Sequence, residues 1–140
     1  MYQVRDVINE DVITISADVT VEEAIRYLID NRISGMPVVD EEGYLVGIIS
    51  EFQLLETLYS PEVRGMPVRD VMTKDVLTVS ANTMLSDAAS LMVAHRIRRL
   101  PVVNNGKIVG IISRRDLLKY TLEAGDKLDE FLEEIKACVC

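Results

Sequence analysis

Two stretches of the chain, V-R-D-V-I-N-E-D-V-I-T-I-S-A from Val4 to Ala17 and V-R-D-V-M-T-K-D-V-L-T-V-S-A from Val68 to Ala81, are near copies. The offset is about 64 residues and persists well beyond them. Arg32-Ile33 falls on Arg96-Ile97, and Pro37-Val38-Val39 on Pro101-Val102-Val103. After one deleted residue, Gly47-Ile48-Ile49-Ser50 falls on Gly110-Ile111-Ile112-Ser113. A duplication explains this register economically, so the fold is that of one unit used twice.

Within each copy the hydrophobic period changes in a fixed order. Val12 to Ile15, like Val76 to Val79, is a β-branched run of strand type. Val21, Ala24, Ile25, Leu28 and Ile29 then follow the stripe of a helix with one buried face, and Thr20 with Glu23 has capping-box spacing at its start. The second copy keeps the stripe as Leu85, Ala88, Ala89, Met92 and Val93 but loses the box. Two strands follow, Met36 to Val39 and Leu45 to Ile49, around the turn Asp40-Glu41-Glu42-Gly43. The second copy turns on Asn104-Asn105-Gly106, whose Asn-Gly pair suits the positive φ of a tight hairpin. Helices are expected from about Glu51 to Leu58 and from about Arg114 to Leu122.

Each unit is therefore β-α-β-β-α, an α+β arrangement within the α/β class. Residues 1–59 and 68–122 form the two repeats, and the proline- and glycine-containing stretch 60–67 is the linker. Residues 123–140 remain as a C-terminal helix and tail. There, Asp126 to Ala137 places Leu128, Phe131, Leu132 and Ile135 at helical spacing, a stripe that must cover either the module's own edge or a second subunit.

Apolar residues make up 49% of the 140 and aromatics only 5%, so the core must be aliphatic. The net charge of −8 opposes nucleic-acid binding by the whole surface, because phosphates would be repelled over most of it. No apolar run reaches the roughly 18 to 20 residues that span a bilayer, and the first residues lack a signal-peptide core. A soluble, cytoplasmic protein without membrane insertion is expected. Cys138 and Cys140 are read as part of a frayed terminus, since a structural zinc site needs four ligands and no second pair is present. With one histidine and no nucleophile-base, metal or paired-carboxylate constellation, no catalytic residues and no enzyme are expected.

The opening D-V-x-T-x-S-A, the P-V-V after the first helix and the G-I-I-S before the last resemble cystathionine-β-synthase (CBS) domains. The likeness runs from Val4 to about Leu122 in two tandem copies. It implies that the copies pack with pseudo-twofold symmetry into a Bateman module whose two clefts bind adenosine compounds such as AMP, ADP, ATP or S-adenosylmethionine. It also implies that two modules pair as a homodimer. No cofactor is required beyond that regulatory ligand.

Gly110-Ile-Ile-Ser113-Arg-Arg-Asp116 matches the family's G-h-x-[S/T]-x-x-[D/N] signature, h being apolar. Glycine permits close backbone approach, and Ser113 falls where a strand hands over to a helix whose first N–H groups suit a phosphate. Asp116, one turn later, offers two acceptor oxygens to the vicinal hydroxyls of a ribose. The same pair also serves as an N-cap and a dipole-complementing first turn. Arg98 and Arg99, in the cluster His95 to Arg99, can neutralise phosphates, bidentately if need be, or complement the end of the preceding helix. Family members with basic residues here support the phosphate role. Arg96 repeats Arg32 and is assigned to structure, and His95 to the helix surface.

The adenine is expected against Thr78, Val79, Ser80 and Ala81 with Leu100 and Pro101, an apolar slot with exposed amides. The first copy reads Gly47-Ile-Ile-Ser50-Glu-Phe-Gln53, without the carboxylate. Ser50 and Gln53, with Thr14 and Pro37, make the weaker second site. The chain thus reads as a regulatory sensor that passes a ligand signal to an unknown effector protein in trans. The rival reading is a ligand-free structural module that oligomerises through its C-terminal helix.

Overall fold

The computed structural model describes residues 2–123 together with 133, 135 and 136. In the first repeat β1 (Ile15–Ser16) is followed by α1 (Val21–Asn31), β2 (Gly35–Val39), β3 (Leu45–Ser50) and α2 (Glu51–Leu54). The second gives α3 (Leu85–His95), β4 (Arg99–Asn104), β5 (Lys107–Ser113) and α4 (Arg114–Glu123). The order is the expected one.

The first strand of each copy is shorter than its β-branched run. Only Ile15 and Ser16 ladder, parallel to Val38 and Val39, and the second copy keeps a single bridge between Val79 and Val102. Proline is the cause. Val79 donates to the Pro101 carbonyl at 3.1 Å and accepts from Val103 at 2.9 Å. The next rung back would need an N–H from Pro101, which has none. Pro37 stands at the same place in the first copy.

Thr20 caps α1 by accepting from the Glu23 N–H at 3.2 Å, whereas α3 starts after Met84 without a side-chain cap. Both helices end on an arginine in the left-handed conformation, Arg32 and Arg96, each at φ 53°. Val21, Ala24 and Leu28 are buried, as are Leu85, Ala88, Ala89 and Met92. The last stripe positions are not: Ile29 is 69% and Val93 55% exposed, because they lie on the stripe's edge in the final turn. The helix expected over Glu51 to Leu58 becomes 3₁₀ from Leu55, where the buried Thr57 hydroxyl donates to the Leu54 carbonyl at 2.8 Å. The Asn105-Gly106 turn has φ 52° and 83°, as Asn-Gly predicts. The linker contains a 3₁₀ turn at Pro61–Gly65.

The described chain forms two compact units that do not coincide with the repeats. A leading unit comprises Val12–Val76 with Gly106–Ile108, and a trailing unit the described residues of Met1–Asp11, Leu77–Asn105 and Val109–Cys140. Each repeat's V-R-D-V opening thus belongs with the body of the other. In the leading unit Val68 N–H donates to Val19 O at 2.8 Å, Arg69 to Ala17 at 3.1 Å, and Val21 to Met66 at 2.9 Å. In the trailing unit Val4 donates to Thr83 at 2.9 Å, Arg5 to Ala81 at 3.0 Å, and Leu85 to Tyr2 at 2.9 Å. Val68 and Val4 are both fully buried, each worth on the order of 1.5–3 kcal/mol.

In the trailing unit Tyr120 meets Tyr2 edge-on at 5.1 Å, and burial, then the Asp6 carboxylate, raises its phenol above the ordinary pKa. The helix expected over Asp126 to Ala137 lies outside the described residues except at Glu133, Ile135 and Lys136, which are helical. Ile135 is half-buried against the trailing unit's core. Cys138 and Cys140 lie outside the described residues.

Candidate ligand site

Ser113 ends β5 and precedes α4, so the strand-to-helix handover falls where the glycine-serine pattern puts it. Its hydroxyl accepts from the Asp116 N–H at 3.1 Å, and Asp116 Oδ2 accepts from the Ser113 N–H at 2.9 Å. This is a reciprocal capping box. The cap and the ligand site are thus compatible, because the cap uses one carboxylate oxygen and leaves Oδ1 with no hydrogen bond among the described residues.

The first copy's version is closed. Gln53 Oε1 accepts from the Ser50 N–H at 2.8 Å and from its hydroxyl at 3.3 Å, while Nε2 donates to the Thr73 hydroxyl. Both ends of the amide are engaged within the leading unit. Thr73 is held there by paired bonds with Ile48, each 2.9 Å. Its counterpart Asn9 pairs in the same way with Ile111, at 3.1 and 3.0 Å, but turns its side chain to the Asp11 N–H instead. The missing carboxylate is legible in the sequence; Thr73, a hydroxyl one residue after Met72, carries no local mark of its partner.

The remaining predicted residues divide. Arg98 is exposed and Arg99 half-buried at the start of β4, and the Arg98 carbonyl accepts from the Arg114 N–H at 2.9 Å, next to Ser113. Arg98, Arg99, Ser113 and Asp116 therefore gather at one corner of the trailing unit. Thr78 is exposed, but Ser80 is spent on its own turn: its N–H donates to Thr83 Oγ1 at 3.0 Å and its hydroxyl accepts from Asn82 at 3.2 Å. The Ala81 carbonyl is taken by Arg5.

Leu100 has no exposed surface and is a core residue, so its side chain cannot line an open slot; Pro101 and Pro37 are likewise buried. Thr14 is half-buried. Gly110 also changes meaning. A Cβ there would lie 3.0 Å from the Asn9 carbonyl oxygen and against the Ile8 side chain, so the close approach it permits is made by the chain's own opening segment. Gly47 is packed in the same way, with the Thr73 carbonyl 2.8 Å from such an atom. Among the described residues there is no cluster fit to hold a metal ion and no helix long and apolar enough to cross a membrane.

The CBS domain family model matches residues 4–60 and again 68–123. The chain belongs to the CBS domain family. Its repeats make it a CBS pair, with the mixed α+β fold expected. It is 42% identical over 131 residues to the inosine-5'-monophosphate dehydrogenase of Methanocaldococcus jannaschii, covering 91% of this chain but 26% of that protein. It is 35% identical to the chloroplastic CBS domain-containing protein CBSX1 of Arabidopsis thaliana, over 84% of this chain and 64% of that one. For YhcV of Bacillus subtilis the identity is 34% and the coverage 84% of each.

Among solved structures, CBSX2 in complex with AMP superimposes with a TM-score of 0.81 at 31% identity, over 89% of this chain and 98% of that one. The CBS domain pair of protein MJ0100, in complex with 5'-methylthioadenosine and S-adenosyl-L-methionine, gives 0.78 at 27% identity over the same shares. CBS pairs of this fold thus bind adenosine compounds.

Proposed function

We propose that this CBS pair is a regulatory sensor of an adenosine compound, without catalytic activity of its own, that works in the cytoplasm as a homodimer and signals to a separate effector protein. The observation that carries the reading is Asp116. Its Oδ2 is committed to the cap and its Oδ1 remains available to a ribose diol, on the helix turn whose first N–H donates to the Arg98 carbonyl. The ligands held by CBSX2 and the MJ0100 pair supply the chemical class.

A homodimer is supported by an apolar groove of about 250 Å³ between α1 and the α2 region, lined by Ile25, Leu28, Ile29, Leu54, Leu55 and Leu58. Exposed Phe52 and Tyr59 lie in the same region of the chain. Of the C-terminal stripe, Ile135 packs on the trailing unit's core.

Calorimetric titration with AMP, ADP, ATP and S-adenosylmethionine tests the site. Asp116→Gln is the informative variant, because Gln53 shows that glutamine can accept the Ser50-type N–H while offering no carboxylate. Roughly tenfold weaker binding or more is expected, the order of a charge-assisted hydrogen bond pair. Unaltered affinity in the variant rejects the site, and absence of binding by all four compounds rejects the sensor.

A further inference from the structure

Beside Ser113 the two copies carry opposite charge. In the trailing unit the Arg114 N–H donates to the Arg98 carbonyl at 2.9 Å, and in the leading unit the Glu51 N–H donates to the Ser34 carbonyl at 2.9 Å. The backbones are equivalent, but Arg98, Arg114 and Arg115 stand where the other copy has Ser34, Glu51 and Phe52. All three arginines are exposed, and none forms a salt bridge among the described residues. Three like charges within one strand-helix junction repel one another, and Asp116 supplies a single carboxylate against them. Glu51, by contrast, sits in the first turn of a helix where a carboxylate is favoured.

We propose that the trailing unit's site selects its ligand by the length of the phosphate chain, taking an adenosine di- or triphosphate in preference to AMP and excluding the sulfonium of S-adenosylmethionine. This rests on the sensor reading above and adds to it an order among the ligands. Asp116 Oδ1 holds the ribose whichever ligand is present, so it does not discriminate between them. Arg98, just before β4, and Arg99, its first residue, are assigned to the first phosphate, because the Arg98 carbonyl bonds the residue that follows Ser113. Arg114 and Arg115, on the first turn of α4, add cations that a single phosphate cannot satisfy together. Each further phosphate therefore gains a guanidinium partner, bidentate where geometry allows. A positively charged sulfonium is repelled by these guanidiniums, which outnumber the Asp116 carboxylate.

The test is titration of the full chain with AMP, ADP, ATP and S-adenosylmethionine at low and high salt, repeated on Arg114→Glu combined with Arg115→Phe. That variant gives the first turn of α4 the first two residues of α2 while keeping Arg98, and an acidic first turn is favourable to the helix, so folding is retained. A melting curve checks this. In the native chain affinity should rise roughly tenfold for each added phosphate, with a salt dependence that steepens in step. In the variant the ATP to AMP ratio should fall towards one. Equal affinities for AMP and ATP in the native chain, or an unchanged ratio in the variant, would overturn the selectivity while leaving the sensor reading intact. If none of the four compounds binds, both readings fall.

Discussion

Asp116 and Gln53 occupy the same position of the two copies and differ by one methylene and by carboxylate against amide, yet their surroundings diverge further than their formulas. The amide is held at both ends, by Ser50 and Thr73, whereas the carboxylate keeps one oxygen unengaged. The glycines show the opposite case, where a residue suggestive of ligand approach serves packing. Gly47→Ala and Gly110→Ala are each expected to destabilise the chain by about 1–3 kcal/mol, the usual cost of overpacking a tight contact. Gly65, with open space around its Cβ position, supplies the control, and Gly65→Ala should be close to neutral. Chemical denaturation measures all three; a neutral Gly110→Ala would mean that the Ile8-Asn9 segment is not held against β5.

At the level of elements, periodicity and end signals located the helices well and the strands less well. Thr20 and Glu23 form the predicted cap contact, so Thr20→Ala should cost about 1 kcal/mol, read as a lower melting temperature with unchanged ligand affinity. No loss would show that the loop holds the start of α1 without it. The helices at the ends of the copies are expected alike from the sequence, but α2 gives way to 3₁₀ after one turn while α4 runs on to Glu123. A threonine hydroxyl bonded to a backbone carbonyl does not separate the two, because Thr121 donates to Leu118 within α4 as Thr57 does to Leu54. The short first strands, by contrast, are legible in principle, since Pro37 and Pro101 withhold the donor that the next rung requires.

For the whole molecule, the repeats and the compact units are different divisions of the chain. A fragment of residues 1–60 contains a complete repeat but lacks Val68 and Thr73, which respectively pack into the leading unit's core and bond its β3. A fragment of residues 12–76 contains them. The second is expected to give a dispersed amide spectrum and a cooperative melt, and the first a collapsed spectrum typical of an unfolded chain. Equal dispersion from both would show that the exchanged openings contribute little to stability.

The sequence by itself determined the duplication, through its constant offset, and the β-α-β-β-α order, the Asn-Gly hairpin and the capping serines, because each of these depends on residues a few positions apart. It also separated the copies by chemistry, placing the carboxylate and the arginines in the second. Only the tertiary structure decided which body each V-R-D-V opening joins, since the two openings are nearly identical and carry no local mark of their partner. It likewise decided that Leu100 is core and that Gly110 faces Ile8. The occupancy of Gln53 by Thr73 belongs to the same class. These are contacts between segments distant in the chain, and a periodic pattern that says which face is buried does not say against what.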